Sequence, residues 1–492
     1  MNISLSRFSP ACQAGLGAIG DLLGESGDAF LVGGAIRDLL LAREPDELDV
    51  ALPSGALEMG RQLAGRLGGA FVLLDEQRGA ARVVLGSGQS PRQIDLTDFR
   101  AESLEGDLRG RDFTVNAIAV SLRSLLRRGL APLVDPTNGL LDLDRRRLRL
   151  ANPGALDDDP LRILRAVRLG FHLRLTLTPS LRTAIRRSAP RLSEVAAERV
   201  RDELLGLLAL PCAGQALREL DRLDALDAIL PELAPMKGVA QPRPHRFSVW
   251  EHSVRAVESV EALLLNLAFL DPHSAGLSEH LVESLGDGLS RREILKLAAL
   301  LHDVAKPRTR TVEKGRVRFI GHDLIGASIA RAIGQRLRLS GKAIQALERL
   351  VLHHLRLMHL GQLSVVSRRA RYRFFRDLER EAQDLLLLSL ADAAAVRGVS
   401  PAEIWRGPSG RLIAELLGGW KEDQARVSEP PLLTGEDVMA AFALPPGPAV
   451  GRLLAMAREA QALRMISSKA EALDYLRRAN CGSDTTSNLS NP

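Results

Sequence analysis

Apolar and polar positions form their clearest pattern between residues 30 and 50. A short apolar run, FLV at residues 30–32, stops at Gly33 and Gly34, and a helical stretch follows it. The next segment begins ELDV at Glu47 and alternates polar with apolar side chains. Successive side chains of a β-strand point to opposite faces. We therefore expect Glu47 and Asp49 on one face of a strand, with the apolar residues beside them in a core.

Two neighbouring carboxylates and a Gly-Gly turn together indicate phosphate chemistry. Carboxylates side by side repel each other unless a cation lies between them, and oxygen ligands suit a divalent ion such as Mg2+. A Gly-Gly turn that opens a helix offers backbone N–H groups and the positive helix end to an anion such as phosphate. The pattern predicts metal-assisted phosphoryl or nucleotidyl transfer. The alternative is an ordinary helix start beside a solvated strand edge.

The following stretch predicts a small mixed sheet flanked by helices. We expect a helix over residues 56–67 and strands over 70–74, 81–85 and 93–99, because the last three alternate in polarity. In the last strand Asp95 lies on the face opposite its apolar neighbours. It is a candidate third catalytic carboxylate, since two-metal transfer needs acidic groups that hold the ions. A polar residue on an exposed strand face is the alternative.

Composition narrows the class of protein. The chain has 492 residues, of which 46% are hydrophobic, so it can bury the cores of about three domains. No apolar run of about 18 residues and no signal-peptide pattern are present, and the three cysteines are scattered, so we expect a cytoplasmic protein without a membrane span. The net charge of +6 is compatible with a polyanionic partner. Aromatic residues make up only 3%, which argues against base-stacking platforms.

Five segments carry a specific resemblance. In chain order they read LVGGAIRDLLL, DELDVA, RDFTVNAIAV, LVDPTNGLLDLDRRRLR and DDDPLRILRAVRLGF. In this order and spacing they resemble the class II tRNA nucleotidyltransferase and bacterial poly(A) polymerase family over about the first 235 residues. The resemblance implies an α+β fold, in which a small mixed-sheet, polymerase-β-like nucleotidyltransferase head is followed by an all-α neck, an HD domain and a helical tail.

The resemblance also implies domain limits and residue roles. The predicted domains are the head (1–150), the neck (151–235), the HD domain (236–400), the tail (401–479) and a disordered end (480–492). Glu47, Asp49 and Asp95 are the expected catalytic carboxylates, with Mg2+ held by the first two. The expected nucleotide-binding residues are Gly33, Gly34, Arg37, Arg111, Asp112, Asp159, Arg162 and Arg165.

Two positions depart from the family pattern. The first carboxylate is normally Asp, whereas this chain has Glu47, and the motif that normally reads Arg-Arg-Asp has Gly110 before Arg111. Glu can ligate a hard cation, but its extra methylene moves the oxygens by roughly an ångström, and a shift of that size can cost on the order of 100-fold in rate.

In the neck, the segment from Asp157 to Arg165 predicts the start of a helix, with its acids at the positive end and Pro160 in the first turn. Asp159 and Arg162, three residues apart, would share one helical face. Such a pair can accept from the exocyclic amine and donate to the ring nitrogen that adenine and cytosine both present, whereas guanine and uracil invert this pattern. It would therefore admit ATP and CTP. An acidic cap with an intrahelical ion pair is the alternative.

A second series of residues lies farther along the chain in Leu- and Ala-rich helical sequence. His252, the pair His302-Asp303 and Asp392 resemble the HD metal-dependent phosphohydrolase domain, and such donors could bind a divalent transition metal. His322, His353 and His354 could complete this site or hold a second ion, and Lys306 could bind a substrate phosphate. Core histidines are the alternative, and the domain could be either catalytic or a retained scaffold.

The leading interpretation is a template-independent tRNA nucleotidyltransferase that adds C and/or A from CTP and ATP to tRNA 3′ ends. The segment LPPGPAVG at residues 444–451 would form a turn and a helix start able to meet an RNA phosphate. We expect tRNA, ATP and CTP as partners, and neither DNA nor a membrane. Poly(A) synthesis, a phosphohydrolase with an RNA-binding head, and a non-catalytic tRNA-binding protein are the rival hypotheses.

Overall fold

The computed structural model describes residues 1–24, 27–86, 91–363 and 365–483. The chain divides into two compact units, Met1–Leu210 with Ala216–Pro231 and Pro211–Gln215 with Glu232–Pro492. The division falls close to the predicted end of the neck, and the finer domain limits stay predictions. The predicted α+β class is confirmed, with a mixed sheet near the N-terminus and helices over most of the remainder.

The head contains an eight-stranded sheet within the described residues, in the order β1-β8-β7-β2-β3-β6-β5-β4. Its strands are β1 (Asn2–Ser4), β2 (Phe30–Val32), β3 (Glu47–Leu52), β4 (Ala70–Asp75), β5 (Ala80–Val84), β6 (Gln93–Asp98), β7 (Ala119–Ser121) and β8 (Leu130–Val134). Strands β3 and β6 are parallel, and the other neighbours are antiparallel. Strand β1 pairs with β8, the last of these eight strands along the chain, with Ile3 opposite Ala131.

Helices connect these strands and cover the sheet. They are α1 (Pro10–Leu23), α2 (Gly34–Leu40), α3 (Ala56–Leu67), α4 (Leu104–Arg109), α5 (Leu122–Arg128) and α6 (Gly139–Asp144). Local sequence explains their ends. The Ser9 side chain caps α1 and Pro10 occupies its first position, while Gly68 closes α3 in the left-handed conformation. The predicted helix is present with the bounds 56–67, and the three predicted strands are present with ends that differ by at most one residue.

The neck is helical apart from one short strand. Its helices are α7 (Ala155–Asp158), α8 (Arg162–Leu173), α9 (Pro179–Ser188), α10 (Ala197–Leu208), α11 (Ala213–Arg222) and α12 (Leu226–Ile229). Strand β9 (Arg147–Leu148) pairs in parallel with β10 (Thr176–Leu177).

One prediction about the neck is wrong in detail. The segment from Asp157 to Arg165 is not one helix, because α7 ends at Asp158, Asp159 is extended (φ −150°, ψ 98°) and α8 begins at Arg162. The ring of Pro160 crowds the preceding residue out of the helical region, which accounts for the break. Asp159 and Arg162 therefore do not share a helical face.

The second unit is built from helices and two small hairpins. Its elements begin with α13 (Val249–Leu265), α14 (Ser274–Leu281), β11 (Ser284–Gly286), β12 (Leu289–Ser290), α15 (Arg291–Leu301), α16 (Lys306–Thr309), β13 (Arg310–Glu313), β14 (Arg316–Phe319), α17 (His322–Arg336) and α18 (Gly341–His353). They continue with α19 (Arg356–Gly361), α20 (Arg368–Leu378), α21 (Ala382–Arg397), α22 (Pro401–Trp405), α23 (Pro408–Gly418) and α24 (Trp420–Val427).

The tail consists of α25 (Gly435–Phe442), α26 (Pro448–Ala462) and α27 (Lys469–Ser483). The predicted turn at residues 444–451 followed by a helix start is present, since α26 begins at Pro448. The last helix extends four residues into the segment for which the sequence predicts disorder, and residues 484–492 lie outside the described residues.

We predict that Asp142 is a stability determinant of the head. This carboxylate is 1% exposed and accepts hydrogen bonds from Thr114 Oγ1 (2.8 Å), Arg147 Nη2 (3.1 Å) and Arg149 Nε (2.9 Å). Asp142→Ala would leave these donors unpaired and cost about 2–4 kcal/mol, measured as a lower thermal midpoint. Asp144→Ala, at an exposed position on the same helix, is the matched control, and an equal loss in both variants would contradict the prediction.

Candidate functional site

Three carboxylates lie on one face of the head sheet. Glu47 and Asp49 alternate along β3 with Leu48 and Val50, which are 0% and 1% exposed, as the sequence predicts. Asp95 on β6 is the register partner of Asp49. Opposed residues of neighbouring strands project to the same side, so the parallel pairing of β3 with β6 brings all three acids to one face.

The electrostatics of this face fit a divalent cation. Burial raises the pKa of Glu47, and the charges of Asp49 and Asp95 raise it further. Burial also raises the pKa of Asp49, and the nearby Arg111 only partly offsets this effect. Raised pKa values on neighbouring carboxylates mean that their negative charge is not fully compensated by protein groups. A hard ion with oxygen ligands would supply the missing positive charge.

Asp95 is held by an arginine that the sequence reasoning missed. Arg82 on β5 donates from Nε to Asp95 Oδ1 at 2.7 Å and from Nη2 to Oδ2 at 2.8 Å, and the ion pair raises the pKa of Arg82. A bidentate pair of this kind fixes the carboxylate and neutralises it. The alternation of AARVV in β5 could have indicated Arg82, because its side chain points away from those of the buried Ala81 and Val83. The catalytic role of Asp95 stays a prediction.

The Gly-Gly turn contacts the carboxylate directly. Gly34 donates its backbone N–H to Asp49 Oδ2 at 3.0 Å, so this N–H group is not bare as the sequence suggested. Gly33 has φ 69°, and a Cβ there would lie 2.8 Å from Asp49 Oδ2 and 3.3 Å from Arg111 Nη1. Only glycine therefore fits between the carboxylate and the guanidinium.

Arg37 and Asp112 belong to a buried hydrogen-bond network that passes through Asn116. Arg37 is 8% exposed, forms an ion pair with Asp38 at 2.9 Å and donates to Asn116 Oδ1 at 2.6 Å. Asn116 donates to Asp112 Oδ1 at 3.0 Å. Burial raises the pKa of Asp112, but the charge of Arg165 and these hydrogen bonds outweigh it and lower the pKa overall. Asn116 lies in RDFTVNAIAV, one of the five segments that carry the family resemblance. The sequence of that segment did not indicate that Asn116 would join Arg37 to Asp112.

Two further ion pairs position basic side chains beside the carboxylates. Arg111 binds Asp107 at 3.2 Å, and Asp107 also accepts the backbone N–H of Arg100. Arg165, in the neck, binds Asp112 at 3.2 Å, and the attraction of Asp112 raises its pKa. Gly110 follows helix α4 with φ −79°, a conformation open to any residue, so the structure does not explain the departure at this position.

The predicted base-selecting residues lie on either side of a turn. Asp159 Oδ1 accepts the backbone N–H of Leu161 at 3.2 Å, and its Oδ2 binds Arg199 at 2.7 Å. Arg162 donates to the carbonyl of Ala155 at 3.2 Å. Arg199 on α10 therefore holds Asp159, which lies between the end of α7 and the start of α8.

The second unit brings two sets of metal-ligating side chains together. His252, His302 and Asp392 form one group, and Asp303, His322 and His354 form the other, with ligand atoms in each group within 4.8 Å of one another. Asp303 links them, because its Oδ2 is 3.2 Å from His302 Nε2 and its Oδ1 is 3.4 Å from His322 Nε2. The spacing suits two ions that share one carboxylate.

The histidines of these groups are oriented for coordination. His302, His322 and His354 each bond through Nδ1 to a backbone carbonyl, at 2.9, 2.6 and 2.7 Å. A carbonyl only accepts, so Nδ1 carries the proton and Nε2 is directed towards the group of ligands. Burial lowers the pKa of His302, but Asp303 and Asp392 outweigh burial and raise it to about 9. The site therefore favours positive charge, and its donor set fits divalent transition metals.

Other residues predicted for this site differ in their placement. His353 belongs to neither group, so the geometry does not support its assignment as a possible ligand. Lys306 lies 2.6 Å from Asp303 Oδ2 and donates to Gln241 at 2.7 Å. The ring of His245 packs edge-on against His252 at a centroid distance of 4.9 Å, a contact that the sequence did not predict.

A carboxylate face beside a glycine turn on a mixed sheet, continued by a helical neck, defines a nucleotidyltransferase. Family models agree with this class. Residues 29–149 match the poly A polymerase head domain, residues 174–237 match the probable RNA and SrmB-binding site of polymerase A, and residues 249–396 match the HD domain.

Relatives extend the match over nearly the whole chain. An A-adding tRNA nucleotidyltransferase from Deinococcus radiodurans is 38% identical, over 92% of this chain and 95% of the relative. A CC-adding tRNA nucleotidyltransferase from Thermus thermophilus is 37% identical, over 91% and 93%. The chain belongs to the tRNA nucleotidyltransferase family. Enzymes of this family depend on divalent metal ions.

Solved structures show the same fold. A CCA-adding enzyme in complex with CTP matches with a TM-score of 0.60 at 18% identity, over 97% of this chain and 99% of that one. The Thermotoga maritima CCA-adding enzyme in complex with tRNA matches with a TM-score of 0.55 at 18% identity, over 98% and 99%. Among the described residues, no helix combines the length and apolar character needed to cross a membrane.

We predict that Gly33→Ala disables the head without unfolding it. The new methyl group would lie 2.8 Å from Asp49 Oδ2 and displace this carboxylate, so nucleotide incorporation should fall by on the order of 100-fold. Gly55→Ala is the matched control, because Gly55 also has a positive φ (89°) but would place its methyl group in open space. Equal losses in both variants would show that backbone strain, and not the carboxylate, causes the effect.

Proposed function

We propose that this chain adds C and/or A residues from CTP and ATP to the 3′ ends of tRNA and releases pyrophosphate. The observation that carries the proposal is the convergence of Glu47 and Asp49 on the face where Gly33, Gly34 and Arg111 meet. Relatives named as A-adding and CC-adding tRNA nucleotidyltransferases support the substrate class. A cytoplasmic location stays a prediction.

The site residues of the head would have distinct parts in this reaction. Glu47 and Asp49 would hold Mg2+, which supplies activation of the attacking hydroxyl and neutralisation of the leaving pyrophosphate. Arg111 would bind the triphosphate, because it is the cationic group beside Asp49, while the Gly34 N–H holds Asp49 in place. The oxygen of the RNA 3′-hydroxyl would bond to the α-phosphorus and lose its proton to solvent. The bond from the α-phosphorus to the oxygen that bridges to the β-phosphate would break, and pyrophosphate would leave.

Base selection is assigned to Asp159 and Arg162. Although they do not share a helical face, they lie on one short turn, and together they offer a carboxylate acceptor and a guanidinium donor. Adenine and cytosine match this pair of groups, and guanine and uracil do not. Arg199 positions Asp159 through their 2.7 Å ion pair, so it is a positioning residue for base choice.

Nucleotide incorporation tests the proposal. Asp49→Ala should reduce incorporation of labelled CTP and ATP into end-trimmed tRNA by on the order of 100-fold or more, because the metal site loses one of its two carboxylate ligands. Glu47→Asp restores the carboxylate that the family normally has at this position, so it should retain or increase incorporation. Glu58→Ala removes an exposed carboxylate from α3 and is the control. Wild-type activity in Asp49→Ala would contradict the proposal.

The same assay separates the related activities. Offering tRNAs that end at each stage, with CTP or ATP alone, distinguishes CC addition, A addition and complete CCA addition. An RNA without a tRNA fold distinguishes poly(A) synthesis. Binding of tRNA with no incorporation from any nucleotide would favour the non-catalytic alternative.

A second activity, metal-dependent phosphohydrolysis, is favoured by one observation. Asp303 presents one oxygen to each of two ligand groups, an arrangement suited to a pair of divalent ions. Two bound metal ions would activate a water molecule and stabilise the charge on the phosphate oxygens. The water oxygen bonds to phosphorus, the phosphorus–oxygen bond of the ester breaks, and a proton passes to the leaving oxygen.

We predict that the second unit binds two ions per chain. Metal content after loading with Mn2+ and desalting should fall from two ions to one in His322→Ala. It should fall below one in Asp303→Asn, because this carboxylate serves both groups. His353→Ala is the matched control, since this adjacent histidine lies in neither group. Loss of an ion in His353→Ala, or retention of two ions in Asp303→Asn, would overturn the assignment.

A further inference from the structure

A two-stranded hairpin lies between two residues of the metal centre in the second unit. Helix α16 begins at Lys306, which contacts Asp303, and leads into β13. The metal-group residue His322 begins α17, three residues after the end of β14. The carbonyl of Phe319, at the end of the hairpin, accepts the Nδ1–H of His322 at 2.6 Å. We call residues 308–320 the basic hairpin.

This hairpin carries a concentrated positive charge. Its five basic residues are all exposed: Arg308, Arg310, Lys314, Arg316 and Arg318. Its one acidic residue is Glu313. Glu313 pairs with Arg318 at 3.1 Å. Within the described part of the chain, no carboxylate lies within ion-pair distance of the other four. Most other arginines of the second unit, such as Arg291 and Arg349, are engaged by acids.

The register distributes these charges over both faces of the hairpin. Arg316 opposes Glu313 and Arg318 opposes Thr311 on one face, while Arg310 opposes Phe319 on the other. The Phe319 ring lies under Lys306, with Nζ 5.6 Å from its centroid. The hairpin is therefore attached at its base to the metal centre, and its remaining length extends as an exposed, cationic arm.

Packing does not explain this arm. All of β13 is exposed, including Val312 at 56%, and a two-stranded hairpin with no core is marginal by itself. Four unpaired cations on it repel one another and lower its stability further. A polyanion would remove this repulsion and gain entropy from released counterions.

The length of the arm indicates a strand rather than a single nucleotide. Four residues at about 3.3 Å each make it about 13 Å long. A single strand laid along this length would place more than one of its phosphates beside these cations. A mononucleotide held at the metal groups would leave most of these cations without an anion.

We propose that the basic hairpin binds the phosphate backbone of an RNA strand and leads its end to the two metal groups. This inference rests on the proposed phosphohydrolase function, and it assigns a phosphorylated RNA end, not a free nucleotide, as the substrate of that site. Arg310, Lys314 and Arg316 are the contact residues, and Phe319 aligns the arm with the centre.

Three full-length variants test the proposal. Arg310→Gln/Lys314→Gln/Arg316→Gln neutralises the arm, Arg310→Lys/Arg316→Lys keeps its charge, and Lys342→Gln removes an exposed cation from α18 as the control. Binding of a short fluorescein-labelled single-stranded RNA is measured with EDTA across a salt series. Because other surfaces of the chain contribute equally in all variants, the difference between salt slopes reports the hairpin alone.

The neutralised variant should bind about 10- to 100-fold more weakly near 0.1 M salt, with a salt slope smaller by about 2, since each contact contributes about 0.7. The charge-keeping variant and Lys342→Gln should match the wild type. With Mn2+, the ratio of kcat/KM for an RNA 3′-phosphate to that for p-nitrophenyl phosphate should fall about tenfold or more in the neutralised variant, as expected from lost phosphate contacts.

Several results would overturn the inference. These are equal salt slopes in wild type and neutralised variant, an equal defect in the charge-keeping variant, or a hairpin-dependent affinity for phosphatidylserine vesicles but not for RNA. An equal loss with both phosphate esters would also overturn it, because the hairpin would then serve the phosphate group alone. If the wild type hydrolyses neither ester, the hydrolase function fails, while the salt slopes still decide whether the hairpin binds RNA.

Discussion

The enclosure of Asp49 is the constraint on which the head depends. This carboxylate lies under a backbone N–H from Gly34 and beside Arg111, and burial still raises its pKa. A partly buried acid with incomplete compensation costs free energy in the fold unless a cation joins it. The left-handed glycine, the Arg111–Asp107 pair and the parallel neighbour β6 can each be understood as supporting that one position.

Both units bring together side chains that can bind metal ions, but the ligand atoms differ. The head uses carboxylate oxygens on strands, which favour hard ions that bind phosphates loosely and exchange quickly. The second unit uses imidazole nitrogens preset by backbone carbonyls, which favour transition metals held more firmly. The proposed functions therefore assign to one chain a site with oxygen ligands for forming a phosphodiester and a site with mainly nitrogen ligands for breaking a phosphoester.

Local patterns in the sequence predicted the parts of the site that depend on local geometry. The alternation around Glu47 and around Asp95 placed their side chains on the correct faces, because a strand has a fixed period of two. Pro160 was visible in the sequence, and its effect on the preceding residue could have been foreseen from sterics. The error at Asp159 came from giving helix-end charges more weight than this restriction.

Contacts between distant segments could not be read in the same way. The Arg82–Asp95 pair depends on the register of β5 with β6, and the sequence sets no register between them. The order of histidines and aspartates indicated a metal site, but not that Asp303 would present one oxygen to each group. Nor could it separate His354 from His353, because adjacent helical residues point about 100° apart and only packing decides which one faces inward.

The pairing of β1 with β8 has a consequence for synthesis of the chain. Strand β1, which contains Ile3, is synthesised before the other strands of this sheet. Its partner β8, which contains Ala131, is synthesised after all of them. Closing so long a loop is slow, and incomplete sheets expose unpaired edges that can associate with other chains. The outer strand β4, whose Leu73 and Leu74 remain 47% and 48% exposed even in the finished fold, would be the most vulnerable of these edges. Nascent heads therefore stand to gain from chaperones that shield them until the N-terminal strand is captured.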